Sequence, residues 1–600
     1  MKYQTLLNTL DKICEEAPNN FVSYHADKID IESLNQARSK AFVHLYLKVK
    51  CGISNFLERH DFITDGTQDG GVDAYYIDKV NKKIYLIQSK FRTTKDNFEK
   101  KKISANDLVR MEVQRILRGE EKDSRGNDFS EKIKKLQKEW SEISDQAYYK
   151  YIVIILGNLE NYTDEQIKRI IDNSEYEIFD FNRTYKELVF PLCSATYYDP
   201  KEIKITIDLV NKEQSTLKQK ISTNLGEFPI RVIFVPTKEI GRIMSRYKNA
   251  ILRYNPRNFL SLSDNKINRK IMESITKNNS NDFAIYNNGI TIIADSFELT
   301  ESTGTKNVGQ IIMLNPQIIN GGQTAYVLSK IYEDQKENDY SVFEGKEVML
   351  KVIILTDKKD LNIDFIEQIS NATNQQTKVE EADRRSNDKI QLAIEEAIFD
   401  AFGYFYERKK GEFFNGIDKK YIDKNLVVNR YDLIKAYLAW QGDASNARRS
   451  GMDTLFKEKR FKEIMKKYAD FKKMFFAYKV LKNIESVEKN RQHKFGVSIK
   501  YGKMAIVAVI GTFGITDEEI DNLSNIQIDD KKMGGFEKSI DKLAIEKIEK
   551  AELMWADFIN HVTMRDENKP YINDEGSLDF DVYYKGSTVN SDIKIFFTNL

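Results

Sequence analysis

Two apolar runs, Val72 to Ile77 and Ile84 to Phe91, flank the polar turn Asp78-Lys79-Val80-Asn81-Lys82-Lys83, a pattern that predicts a β-hairpin. Upstream, Ile31, Leu34, Ala41, Phe42, Leu45 and Val49 recur at helical spacing, which predicts an amphipathic helix covering the hairpin's sheet. Downstream, Tyr151 to Leu156 is a wholly apolar strand. Thr163 and Gln166 stand at capping-box spacing ahead of Ile167, Ile170 and Ile171, and Tyr176 to Phe181 reads as another strand. Strand, helix and strand after a hairpin predict a mixed α/β sheet that closes a first domain near residue 195.

A second unit begins near Ile203, with a strand at Arg231 to Val235 and a helix at Asn268 to Ile275. From Asn429 onward the pattern is mainly helical, including Tyr431 to Trp440 and Tyr501 to Phe513. The chain thus reads as three domains, 1–195, 196–425 and 426–600, and with only 8 prolines to build extended spacers they are expected to share interfaces.

Chemistry concentrates on the hairpin. Asp73 opens the first strand, while Gln88 and Lys90, two residues apart near the end of the second, project from one face. A carboxylate and an amide oxygen can hold Mg²⁺ (or Mn²⁺), and a neighbouring ammonium can stabilise charge developing on a phosphodiester. The bland alternative is a surface hairpin whose charges are merely solvated. Asp73 followed by Gln88-Ser89-Lys90, with Gly70 and Gly71 before the acid, resembles the active-site hairpin of the PD-(D/E)XK nucleases in their Mrr-like variant. That resemblance implies a restriction-endonuclease-like mixed sheet, metal ligation by Asp73 and Gln88, and catalysis by Asp73, Gln88 and Lys90. Because Gln88 is neutral, a further acidic ligand is expected, with Glu32, Glu58 and Asp65 as candidates. Glu32 lies on the helix face away from the sheet, which weakens it. Lys95, Lys100, Lys101 and Lys102 follow as a basic run, either a solvated face or a phosphate contact.

Two further stretches set Asn/Gly clusters against apolar runs: Phe283 to Phe297, containing Asn287-Asn288-Gly289-Ile290-Thr291, and Ile311 to Tyr332, containing Asn320-Gly321-Gly322-Gln323-Thr324. The second cluster lies between a strand and a helix, a position where backbone N–H groups can receive an anion. Turn and capping roles for these residues are the alternative. Together with Leu252 to Phe259 (LRYNPRNF), they resemble the AIPR family of abortive-infection phage-resistance proteins over roughly residues 230–460. The resemblance implies a central α+β domain, a role in phage defence, and DNA rather than RNA as the substrate class. A polar segment, Asn371 to Gln376, precedes Arg384 and Arg385; these are expected either to face the same cleft and contact phosphate or, equally, to form a helix-connecting turn with a solvated face.

Charge is balanced, 93 basic against 92 acidic residues, which excludes a wholly basic binder but not a local groove. The cysteines Cys14, Cys51 and Cys193 lack metal-ligand spacing and suit a reducing compartment. The five histidines form no ligand pair, and no apolar run is long enough to span a membrane. The expectation is a cytoplasmic, homodimeric metal-dependent nuclease without membrane attachment, gated by a nucleotide or a phage-derived trigger. A sensing protein with a degenerate nuclease fold is the competing expectation.

Overall fold

The computed structural model describes residues 1–600 except 28, 80, 105–110, 160–162, 172–173, 199, 210–215, 224–225, 256–265, 278–279, 302–306, 336–338, 356–368, 370–380, 491–495, 526–539 and 599–600. Helix α1 (Lys2–Cys14) and helix α2 (Ile31–Lys50) precede the hairpin formed by β1 (Ala74–Asp78) and β2 (Lys83–Ser89). Asp30 caps α2 by accepting from the N–H groups of Glu32 and Ser33. The hairpin pairs in the register Ala74↔Ile87 through Asp78↔Lys83.

Strands β3 (Lys150–Leu156) and β4 (Glu175–Phe179) join β2 in parallel, giving a four-stranded mixed sheet in the order β1-β2-β3-β4. The period-2 alternation of β3 divides its side chains between two cores. Ile152, Ile154 and Leu156 pack with Phe42, Leu45 and Val49 of α2, whereas Val153 and Ile155 pack with Ile133, Leu136 and Trp140 of helix α3 (Glu131–Ser141). The expected inner face of α2 is therefore present from Ala41 to Val49, while Leu34 is only half-buried and Ile31 is exposed beside the cap. Thr163 and Gln166 form the expected capping box, with Ile167 and Ile171 buried.

The central region holds two sheets. Strands β5 (Glu202–Asp208), β6 (Leu217–Thr223), β7 (Gly226–Pro236), β8 (Ile290–Ala294), β9 (Ser296–Glu301), β10 (Val308–Leu314), β11 (Gln317–Asn320) and β12 (Glu347–Ile354) assemble in the orders β11-β8-β12-β7-β6 and β9-β10-β5. Helices α4 (Thr237–Tyr247) and α5 (Gly322–Glu333) cover one face of the larger sheet. They cross closely because Gly241 lacks a side chain, and a Cβ there would lie 2.8 Å from the Leu328 carbonyl oxygen.

The C-terminal region is mainly helical, with helices such as Arg430–Trp440, Phe471–Asn490 and Gly496–Val509 around one large apolar core. That core already begins at Ala382, and Phe399, Phe405, Phe413, Tyr421 and Ile422 instead complete the core of the N-terminal sheet. The expected boundary at 425 thus falls in a segment shared between cores. Irregularly spaced aromatics carry no periodic signal to say which neighbour they join.

Candidate functional site

The hairpin places Asp73 just before β1, where its backbone N–H donates to the Ile87 carbonyl at 2.8 Å. The Asp73 carboxylate accepts from the Ser89 N–H at 2.5 Å, so it is held against the strand that carries Gln88 and Lys90. Gln88 shares its strand face with Ile84 and Leu86 and is only 3% exposed, the most enclosed of the three. Lys90 lies immediately past β2, its N–H donating to the Leu156 carbonyl at 2.9 Å.

The loop 64–73 closes on itself. Both the Thr64 and Asp65 N–H groups donate to the Asp73 carbonyl, at 2.9 and 3.0 Å, and the Thr64 hydroxyl donates to the Val72 carbonyl. Gly70 and Gly71 take φ of 62° and 76°, which glycine adopts without strain. The closure folds Asp69 inward, its carboxylate accepting from the N–H groups of Gly71 at 2.8 Å and Gly66 at 3.2 Å. Carboxylate oxygens of Asp65, Asp69 and Asp73 thereby come within 4.8 Å of one another.

Of the acids expected to complete the site, the fold brings in Asp65 and not the others. Glu32 and Glu58 are exposed in the first turns of their helices, outside this group. Asp69 is the residue that reading the sequence missed; its signal was the spacing of Asp65, Asp69 and Asp73 through a glycine-rich loop. Burial pushes the Asp73 carboxyl up to about 7, opposed by the Ser89 N–H and reinforced by Asp65 and Asp69, while Lys90 pulls it down. Asp69 is raised for the same first reason, burial. These three carboxylates, with the desolvated Asp73 among them, are hard oxygen donors of the kind that could hold Mg²⁺ or Mn²⁺.

In the central region the Asn/Gly clusters converge. Thr291 pairs with Asn320 across β8 and β11, and Gly321, at φ 84°, precedes α5 without any side-chain cap. A Cβ at Gly321 would lie 2.9 Å from the Gly289 carbonyl oxygen, and one at Gly289 would lie 2.7 Å from that of Met349. The Asn287 amide donates to the Thr324 hydroxyl at 3.2 Å, Asn288 is exposed, and a Cβ on Gly322 would lie 3.1 Å from the Asn255 amide nitrogen. Gln323 lies half-buried in the first turn of α5. Asn320 to Thr324, Asn287, Gly289 and the 252–255 turn thus form one constellation.

Arg384 and Arg385, expected to contact phosphate, have local partners. Arg384 pairs with Glu381 at 3.2 Å, and Arg385 donates to the Phe456 carbonyl at 2.7 Å with Asp388 and Glu458 close by. Local acids and the helical region thus engage both guanidinium groups. Asn371 to Gln376 lie outside the described residues.

Among the described residues, no single helix is long and apolar enough to cross a membrane. No curated protein and no solved structure matches the chain. The AIPR protein family model matches residues 252–557, which begins at the LRYN turn, contains both Asn/Gly clusters and runs well into the helical region. With half the chain covered, the protein belongs to the AIPR family, whose association is with abortive-infection defence against phage.

Proposed function

We propose that the chain is a divalent-metal-dependent phosphodiester hydrolase acting on DNA in abortive infection, with its chemistry on the N-terminal hairpin and its control in the AIPR region. The observation that carries this reading is the meeting of Asp65, Asp69 and Asp73 within 4.8 Å, in the electrostatic reach of Lys90. A divalent cation held there would polarise a phosphate and acidify a water. Asp73 and Asp69 would hold it, Asp65 would complete the set from the solvent side, and Lys90 would stabilise charge on the phosphate oxygens. The four-stranded mixed sheet with helices on both faces supports the nuclease resemblance, though fold alone does not specify chemistry. Incubation with plasmid DNA, single-stranded DNA and RNA over Mg²⁺ and Mn²⁺ tests it. Metal-dependent cleavage of DNA is expected, and no cleavage of any substrate would overturn it. The enclosed, neutral Gln88 favours a second reading, a sensing protein with a degenerate site, which predicts no metal binding that depends on Asp73.

Asp69→Asn is expected to weaken Mg²⁺ binding about tenfold or more in calorimetry, since it removes one of three anionic ligands while its single amide oxygen can still accept the shorter bond, from the Gly71 N–H, and gives up the longer one from Gly66. Asp69→Asn affinity equal to wild type would remove this residue from the ligand set.

Proton linkage gives an independent measurement. Asp73 moves from an ordinary 3.8 to about 7 on folding, so the metal-free protein gains stability from its neutral form. That stability is complete below about 4 and is lost as pH rises through about 7. Because ligation needs the carboxylate, metal binding below pH 7 should release a proton, measurable by calorimetry in buffers of different ionisation enthalpy. Asp73→Asn should abolish that release, and Mg²⁺ should raise the melting temperature more at pH 8 than at pH 5.

A further inference from the structure

The basic run that follows the hairpin is fixed beside the candidate site by contacts that its own helix does not require. The short helix Lys95–Lys100 is followed by a two-residue strand, Lys102–Ile103, which pairs in parallel with Asn158–Leu159 beyond the end of β3. The Asn158 amide donates back to the Phe98 carbonyl at 2.8 Å and the Lys101 carbonyl at 3.4 Å, clamping the turn between helix and strand. Ile103 is buried, and it meets the Lys90 backbone at Gly157: a Cβ on Gly157 would lie 2.8 Å from the Ile103 side chain and 3.5 Å from the Lys90 carbonyl oxygen. Ile103, which ends the turn, is therefore held against Gly157, itself packed on the Lys90 backbone.

Its charge is unbalanced in a way the packing explains. Four lysines over residues 95–102 stand against Asp96 and Glu99, a net of +2 (four minus two). Both acids are committed: Asp96 pairs with Lys100 at 3.1 Å, and Glu99 accepts from the buried Tyr185 hydroxyl at 3.0 Å. Lys101 and Lys102 are exposed at the tip. A solvated basic face needs no such frame, because charge on a freely moving turn is hydrated equally well; a turn that must meet phosphates at a set distance from a reacting centre does need one.

We propose that the Lys101–Lys102 turn is a phosphate-backbone contact that seats a nucleic-acid strand alongside Lys90, an inference that rests on the hydrolase reading of the hairpin. The contact reads charge and spacing rather than base sequence. The full-length protein carrying Asp73→Asn, in EDTA and without turnover, is titrated with a mixed-sequence duplex oligonucleotide over a salt series, alone and with Lys101→Gln/Lys102→Gln added. Two backbone contacts predict a log–log salt slope shallower by about 1.8 and binding weaker by roughly ten- to sixtyfold near 100 mM salt. An unchanged slope with unchanged affinity overturns the proposal, as does an Asp73→Asn protein that binds no duplex. Matching melting temperatures for the two proteins show that the substitutions leave the fold intact. Cleavage by wild type is assayed separately, so that lysine-dependent binding without cleavage sustains this contact while failing the hydrolase.

Discussion

Lys90→Ala is expected to yield a folded protein whose cleavage rate falls by about 10²- to 10³-fold and which no longer protects cells from phage. Lys90 lies past the end of β2, half-buried, and its structural contribution runs through its main chain, whose N–H bond to Leu156 survives truncation of the side chain. The loss would therefore fall on chemistry and not on folding. Lys90→Arg separates charge from geometry. It keeps the cation but replaces a compact ammonium with a planar fork, so partial recovery is expected. Circular dichroism and thermal melting check the fold, and single-turnover cleavage checks the rate. Full phage protection by a soluble Lys90→Ala protein would sink the hydrolase mechanism. Asp73→Asn should lose as much activity and, unlike Lys90→Ala, should also lose metal-coupled proton release.

The second large effect is on stability. Gly321→Val places a branched side chain at φ 84°, against the Gly289 carbonyl oxygen and the Ile290 backbone at 2.9 to 3.0 Å. Left-handed strain and overpacking together cost roughly 2–5 kcal/mol. β8 and β11 are hydrogen-bonded neighbours there, so the clash cannot be relieved by moving one side chain. The melting transition of the central region should drop by roughly 5–15 °C, read by scanning calorimetry. If Gly321 instead serves only as an anion-receiving turn, the transition should stay in place while regulated activity disappears. The contacts at Gly289, Gly321 and Gly322 support a packing role for the glycines, so that both Asn/Gly clusters specify how β8, β11 and α5 fit together.

The sequence by itself determined what local chemistry determines. The hairpin, α2, the capping box at Thr163 and the apolar β3 were legible because side-chain period and hydrogen bonds within a few residues decide them. Asp73 and Lys90 were legible as a motif for the same reason, since hairpin register follows from the turn between them. Tertiary structure decided the rest. Asp69 joins Asp65 and Asp73 only because Gly70 and Gly71 turn the chain and the backbone of residues 64 and 65 bonds to Asp73. Glu32 and Glu58 carry the same carboxylate but sit exposed in the first turns of their helices. Arg384 and Arg385 resemble a phosphate clamp in one dimension and are engaged by neighbours such as Glu381 and Phe456 in three. Phe399, Phe405 and Phe413 lie more than two hundred residues from the sheet whose core they complete. Apolar burial drives such contacts without direction or sequence address, so only the closed fold selects which distant surface an aromatic side chain covers.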